Sequence, residues 1–233
     1  MKLFSTRQVR ITYLLVVLLI SVSYLGISIG GVDISLYDFV FGNISDLQKT
    51  IMDKIRIPRV LLSGSVGASL AVSGACLQGL FRNPLADPGL IGVSAGAALG
   101  ATLSIVLGKE LIPNFLYGPY LLPLSAVIGS LLVIMFLFII TQGFGKEGII
   151  YLLLGGIAVN AITGVGIGIL TYISNDTELR SLTFWTMGSF GSTTWKLTLP
   201  GVAFILLTIL FISREARKLD ILQLGEIEAL RLG

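Results

Sequence analysis

Arg56 and Arg59 stand three residues apart on either side of Pro58. Guanidinium groups at that spacing suit bidentate recognition of a partner's carboxylates. They equally suit a pair of solvated arginines that anchor a helix end at a membrane surface. A second stretch, Gly92-Val93-Ser94-Ala95-Gly96, has the G-x-S-x-G form of a serine-hydrolase nucleophile elbow. Such a serine needs a base, usually histidine, and the chain contains none. No strand precedes Gly92 either, so no catalytic residue is assigned. The lack of histidine also removes the commonest metal ligand, and no metal site is expected. The single cysteine, Cys76, lies in an apolar stretch and reads as a small packing residue without a disulfide partner. No G-x-x-x-x-G-K-[ST] phosphate loop occurs, which excludes ATP hydrolysis by that route.

Two further patterns carry chemistry of a softer kind. Gly156, Asn160, Gly164 and Gly168 recur every fourth residue and give one narrow face of a helix. That face is either a helix–helix seam or the wall of a wide passage that holds its cargo weakly. The two overlap where a passage runs along a subunit seam. The final residues, LDILQLGEIEALRLG over 219–233, read as a short amphipathic helix pair on a membrane face.

The elements that position these residues are membrane helices. Of the 233 residues, 54% are hydrophobic and 12% charged, with mean hydropathy +0.92. That is about half the charge load of a soluble domain. Apolar runs over 11–30, 60–81, 88–108, 121–141, 149–173 and 197–213 each approach the ~20 residues that span a bilayer core. The expected fold is an all-α polytopic membrane helix bundle with six transmembrane helices. The first run is too long for a signal-peptide core and lacks an A-x-A site, so it is kept as a helix. Residues 31–55 read as an external loop with a short interfacial helix near 36–41. The hinge 82–87 is so short that the second and third spans are expected to be antiparallel neighbours. Stripes of small residues support close packing there: Ser63, Gly67, Ala71 and Ala75 in one, Gly92, Gly96 and Gly100 in the other.

An even number of spans puts both termini on one side. With that side cytoplasmic, nine Lys/Arg lie inside and seven outside, a narrow margin, but clusters flank the first and last spans at Lys2–Arg10 and Arg214–Lys218. Trp185, Trp195 and Tyr172 near the outer ends fit interfacial anchoring. No Asp, Glu, Lys, Arg or His falls within the six spans. Ion-coupled carriers usually place such residues at mid-membrane, so the energy for any transport is expected from a partner. A stand-alone secondary transporter and a non-transporting membrane remnant are the competing readings.

The stretches RIPR at 56–59, SGACLQGLFRNPLADP at 73–88 and GLIGVSAGA at 89–97 closely resemble the permease subunits of FecCD-type ABC importers. Those proteins carry ferric siderophores, haem or vitamin B12 across the bacterial cytoplasmic membrane. The resemblance implies a single membrane-spanning permease domain over 1–233, with 214–233 as a cytoplasmic coupling segment. It implies a homodimer with the passage on its axis, a cytoplasmic ABC ATPase dimer that holds the ATP, and an extracytoplasmic binding protein. No cofactor is then bound by this chain, and no nucleic acid is a partner. Arg56 and Arg59 would receive acidic residues of the binding protein, and Asn83 and Leu85 would form part of an inner gate. The family's other gate half carries small hydroxyl residues where this chain has Gly148, Ile149 and Ile150. Leu224, Gly225, Glu226, Ala229, Leu232 and Gly233 match the LG-E-x-x-A-x-x-LG segment that enters the ATPase cleft. A ferric siderophore is the first expectation for cargo, with haem and cobalamin after it. Family members usually have about ten spans, so the sequence is expected to be shortened at its C-terminal end.

Overall fold

Every regular element among the described residues is helical. In a hydrocarbon solvent only closed backbone hydrogen bonding is tolerated, and a helix closes its bonds within one segment. The computed structural model describes residues 6–42, 44–108, 118–142, 148–223, 225, 229 and 231. Five helical stretches are long and apolar enough to cross a membrane, and little of their surface is buried within the chain. Exposed leucines, isoleucines and phenylalanines along them have lipid as their solvent.

The chain divides into two compact units. The first comprises Met1–Gly67 and Phe190–Leu206. Helix α1 (Thr6–Ser28) leads to α2 (Leu36–Phe41), which Ser35 caps at the start and left-handed Gly42 closes. This is the short helix expected near 36–41. The rest of the expected loop is not a loop. A capping box of Ser45 and Gln48 starts α3 (Asp46–Ile51), and a π-helical turn, Met52–Arg56, joins it directly to α4 (Ile57–Phe81). Helix therefore runs unbroken over Asp46–Phe81. The π turn has a local cause in Pro58, whose ring clashes with the carbonyl four residues back in a regular α-helix. Widening the turn lets Ile57 N–H reach back to the Met52 carbonyl instead.

The second unit comprises Ala68–Ser189 and Leu207–Gly233. Here the expected third span, 88–108, is broken. Pro88–Ile91 form a 3-10 turn, Gly92 takes φ 81°, and only Val93–Val106 (α5) are α-helical. Fourteen residues give about 21 Å, short of a hydrocarbon core. The expected neighbour is also corrected. α5 packs against α6 (Leu121–Thr141) and α7 (Gly148–Ile173), not closely against α4, because the turn at 88–92 redirects the chain. The stripe Gly92, Gly96 and Gly100 has the packing role expected of it. A Cβ on Gly96 would lie 2.6 Å from the Gly129 carbonyl oxygen, and one on Gly100 would strike the Ser125 carbonyl. By contrast, a Cβ on Gly64, Gly67 or Gly74 of α4 would meet nothing within 4 Å.

Two buried clusters fix the remaining helices: Ile91, Leu137 and Val159 at one end, Val106, Leu170 and Leu182 at the other. Leu182 belongs to α8 (Asp176–Met187), opened by a capping box of Asn175 and Glu178. The last helix, α9, runs Trp195–Gln223 with Pro200 in its second turn. It exceeds the expected 197–213 and absorbs the basic cluster Arg214–Lys218, so the first half of the segment 214–233 continues a long helix.

Gly129→Val tests the backbone seam, because its side chain must displace α5. Overpacking of this kind costs at least about 2 kcal/mol. A thermal-unfolding scan in detergent should show a clear drop for Gly129→Val, whereas Gly64→Ala, in open space on α4, should be neutral or slightly stabilising.

Candidate functional site

Three carbonyl-rich places in the first unit are closed by side chains drawn from elsewhere in it. Helix α1 ends without a basic residue in its last turn. Arg56 supplies one from a distance: its Nη1 donates to the carbonyls of Ile27 at 2.7 Å and Ser28 at 2.8 Å, and its Nη2 to that of Val32. A cation at a helix C-terminus meets the negative end of the macrodipole and the unpaired last carbonyls. Gly30 leaves room for it, since a Cβ there would sit 2.6 Å from Nη2. Arg56 is only 7% exposed. Its Nη1 and Nη2 thus donate inside the fold. Arg59, one turn on, is exposed and reaches the carbonyls of Phe190 at 3.2 Å and Gly191 at 3.4 Å. Those bonds are long and leave the guanidinium accessible. The third closure is Trp195, whose Nε1 donates to the Asp53 carbonyl at 2.6 Å. Asp53 lies five residues before Pro58, so the donor its carbonyl needs in a π turn is the N–H that proline lacks. The sequence presents Trp195 as an interfacial anchor; this backbone contact has no signal there beyond Pro58 itself.

In the second unit, α4 ends in a Schellman arrangement. The Asn83 N–H returns to the Gln78 carbonyl and the Arg82 N–H to Gly79, with Arg82 at φ 50° where glycine is usual. Asn83 Oδ1 accepts from the Leu85 N–H at 2.9 Å and the Asn83 carbonyl from Ala86. Asn83 thus shapes the turn, and Leu85 stands at its apex, 84% exposed. A separate set of bonds begins at Asp87, whose Oδ1 accepts from the Gly89 N–H at 2.5 Å and caps the 3-10 turn.

The stripe on α7 divides into two halves. Gly156 is buried, and the Leu90 carbonyl lies where its Cβ would be; Asn160 Nδ2 donates to the Gly89 carbonyl at 3.0 Å. Gly164 and Gly168 differ: a Cβ on either would meet nothing within 4 Å. The first half is a seam; the second is an open face of small residues. Gly148 and Ile150 lie in the first turn of α7, Ile150 largely exposed, while the Ile149 side chain is outside the described residues.

Of the coupling residues, Leu224, Glu226, Leu232 and Gly233 lie outside the described residues. Gly225 adopts φ 113° just after α9, and its carbonyl accepts from the Ala229 N–H at 2.9 Å. A polar crevice next to it is lined by Gln78, Gly79, Arg82, Asn83 and Gln223, joining the ends of α4 and α9 within this unit. Among the described residues no group of His, Cys, Asp or Glu is arranged to hold a metal ion.

Residues 14–233 match the profile of the FecCD transport family. The hemin transport system permease protein HmuU of Yersinia pestis is 42% identical over 219 residues, covering 94% of this chain and 65% of that protein. The vitamin B12 import system permease protein BtuC of Escherichia coli O127:H6 is 39% identical over 180 residues, covering 77% of this chain and 53% of the relative. The chain thus spans a little under two-thirds of the one and about half of the other. A solved ABC transporter, described as of metal-chelate type and in an inward-facing conformation, superposes with TM-score 0.81 at 32% identity. That comparison covers 96% of this chain and 68% of the solved one.

Arg56→Ala should separate the two arginines. It takes the guanidinium from the Ile27 and Val32 carbonyls, leaves that of Ser28 with the Ile34 N–H alone, and removes charge-assisted bonds worth about 1.5–3 kcal/mol each, so the purified chain should lose most of its thermal stability in detergent. Arg59→Ala should shift the same melting curve by less than about 1 kcal/mol equivalent.

Proposed function

The chain belongs to the FecCD transport family, and on that premise we propose that it is a membrane permease subunit of a type II ABC importer. The observation that carries the reading is the family match over residues 14–233, which takes in nearly every helix described above. The chain is a multi-pass membrane protein. Its part in the importer is mechanical: it encloses the passage, while ATP is hydrolysed on a separate cytoplasmic subunit and cargo arrives on an extracytoplasmic binding protein. The passage lies on the axis of a homodimer and draws on the small-residue face of Gly164 and Gly168.

The N-terminus is cytoplasmic. The basic residues before α1 and in the second half of α9 support this orientation. The contacts of Arg56, Arg59 and Trp195 gather the end of α1, the start of α4 and the start of α9 at one end of the first unit. That end is extracytoplasmic. Arg59 there receives an acidic side chain of the binding protein, and Arg56 serves it indirectly by holding the backbone in place. At the cytoplasmic end, Asn83 and Leu85 contribute to the inner gate. The segment around Leu224, Gly225, Glu226, Ala229, Leu232 and Gly233 meets the ATPase.

The cargo is a metal chelate. Identity with the hemin permease over 219 residues favours haem, with cobalamin and ferric siderophores as the competing cargoes. Uptake of labelled hemin, cobalamin and ferric siderophores in a strain lacking this chain tests the reading. Restored, ATPase-dependent uptake of one of them is expected on complementation; transport by the purified chain in vesicles without an ATPase would overturn it. Arg59→Glu should slow binding-protein association by about tenfold at low salt, an effect shrinking as salt rises; surface-plasmon kinetics at two ionic strengths measure it.

A further inference from the structure

The connection between α4 and α5 consists of two separately bonded turns. Residues 82–86 are tied to the end of α4 by the Schellman bonds and by Asn83. Residues 87–92 are tied to one another: the Gly89 N–H donates to Asp87 Oδ1, the Leu90 N–H to the Asp87 carbonyl, and the Gly92 N–H to the Gly89 carbonyl. Among the described residues no backbone hydrogen bond bridges Ala86 and Asp87, and Asp87 is extended at φ −117°, ψ 132°. The junction is a hinge.

The second turn is fastened to α7. The Gly89 carbonyl is an acceptor only, so the Asn160 atom 3.0 Å away must be the amide nitrogen, donating. One helical turn earlier, Gly156 admits the Leu90 carbonyl against the α7 backbone, and Ile91 is buried with Val159. The polar tie comes from Asn160. The Gly89 carbonyl thus accepts twice, from the Gly92 N–H within its own turn and from Asn160, the side-chain donor that reaches it from α7.

We propose that Asn160 is a positioning residue for the gate. By holding the 87–92 turn to α7, it makes that turn travel with α7 while the Leu85 turn stays with α4. A shift of α7 against α4 then acts at the Ala86–Asp87 hinge and swings Leu85. The inference rests on the reading of Asn83 and Leu85 as an inner gate.

The test uses the full chain, reconstituted with its ATPase and binding protein, carrying Cys76→Ser and spin labels at Leu85→Cys and Leu154→Cys. Leu154 is an exposed position on α7. Asn160→Leu is close in size and has no donor, whereas Asn160→Gln keeps an amide. The expected result for Asn160→Leu is about a fivefold rise in the displaced fraction of the Leu85–Leu154 distance distribution, with Asn160→Gln nearer the parent. A parent-like distribution in Asn160→Leu would overturn the proposal, as would lost uptake with unchanged distances. Distances that move as expected while uptake stays at the parent level would leave Asn160 as the positioning residue and overturn the gate reading instead.

Discussion

A membrane helix can end, bulge or tighten only if something else takes up the carbonyl it frees. Water does this at a soluble surface; in a bilayer a side chain must. Three irregular places among the described residues draw on such a side chain. Arg56 takes the last carbonyls of α1, Trp195 takes the Asp53 carbonyl of the π turn, and Asn160 takes the Gly89 carbonyl of the 3-10 turn. These donors are not interchangeable. A guanidinium serves three carbonyls at once from a rigid fork, an indole brings one N–H on a rigid apolar body, and an amide is compact enough to sit between Gly156 and Thr163 on a packed face.

The second constraint is closeness. Where α5 crosses α6, backbone meets backbone, and neither helix tolerates a Cβ at the crossing: Gly96 and Gly100 face Gly129 and Ser125. The same economy appears at Gly156 against Leu90. Such contacts replace the hydrophobic drive that lipid cannot provide between helices. They also let the 14-residue α5 be held by its neighbours on one side, although it is too short to be a regular span by itself.

The class of fold and the family are legible in the sequence, because hydropathy marks spans directly and the stretch 73–97 is long and specific. The α5 seam on Gly92, Gly96 and Gly100 is legible too. What those glycines touch is not: the expected neighbour is α4, and the actual one is α6. A six-residue hinge implies adjacency only if the next helix starts at once, and the turn at Pro88–Ile91 intervenes. Arg56 escapes a sequence reading for a related reason. Periodicity shows which face of a helix a residue occupies, but the carbonyls it binds lie at Ile27, Ser28 and Val32, a contact between segments that no local pattern announces. Pro58 is the one usable clue, since a proline within a helix predicts a carbonyl in need of a donor.

What remains on the membrane faces is chemically quiet. Exposed Thr171 donates its hydroxyl hydrogen to the carbonyl four residues back in its own helix, as half-buried Ser125 and buried Thr102 and Thr163 also do, so Thr171 turns only lone pairs outward. Beside them stand glycines and aliphatic side chains, with no carboxylate or cation within the apolar spans. A wall of that kind offers other groups few polar holds along the spans. Work done on it therefore has to enter at the helix ends, where the polar side chains are concentrated. The same few donors that satisfy the stray carbonyls are also the points at which one helix can pull on another.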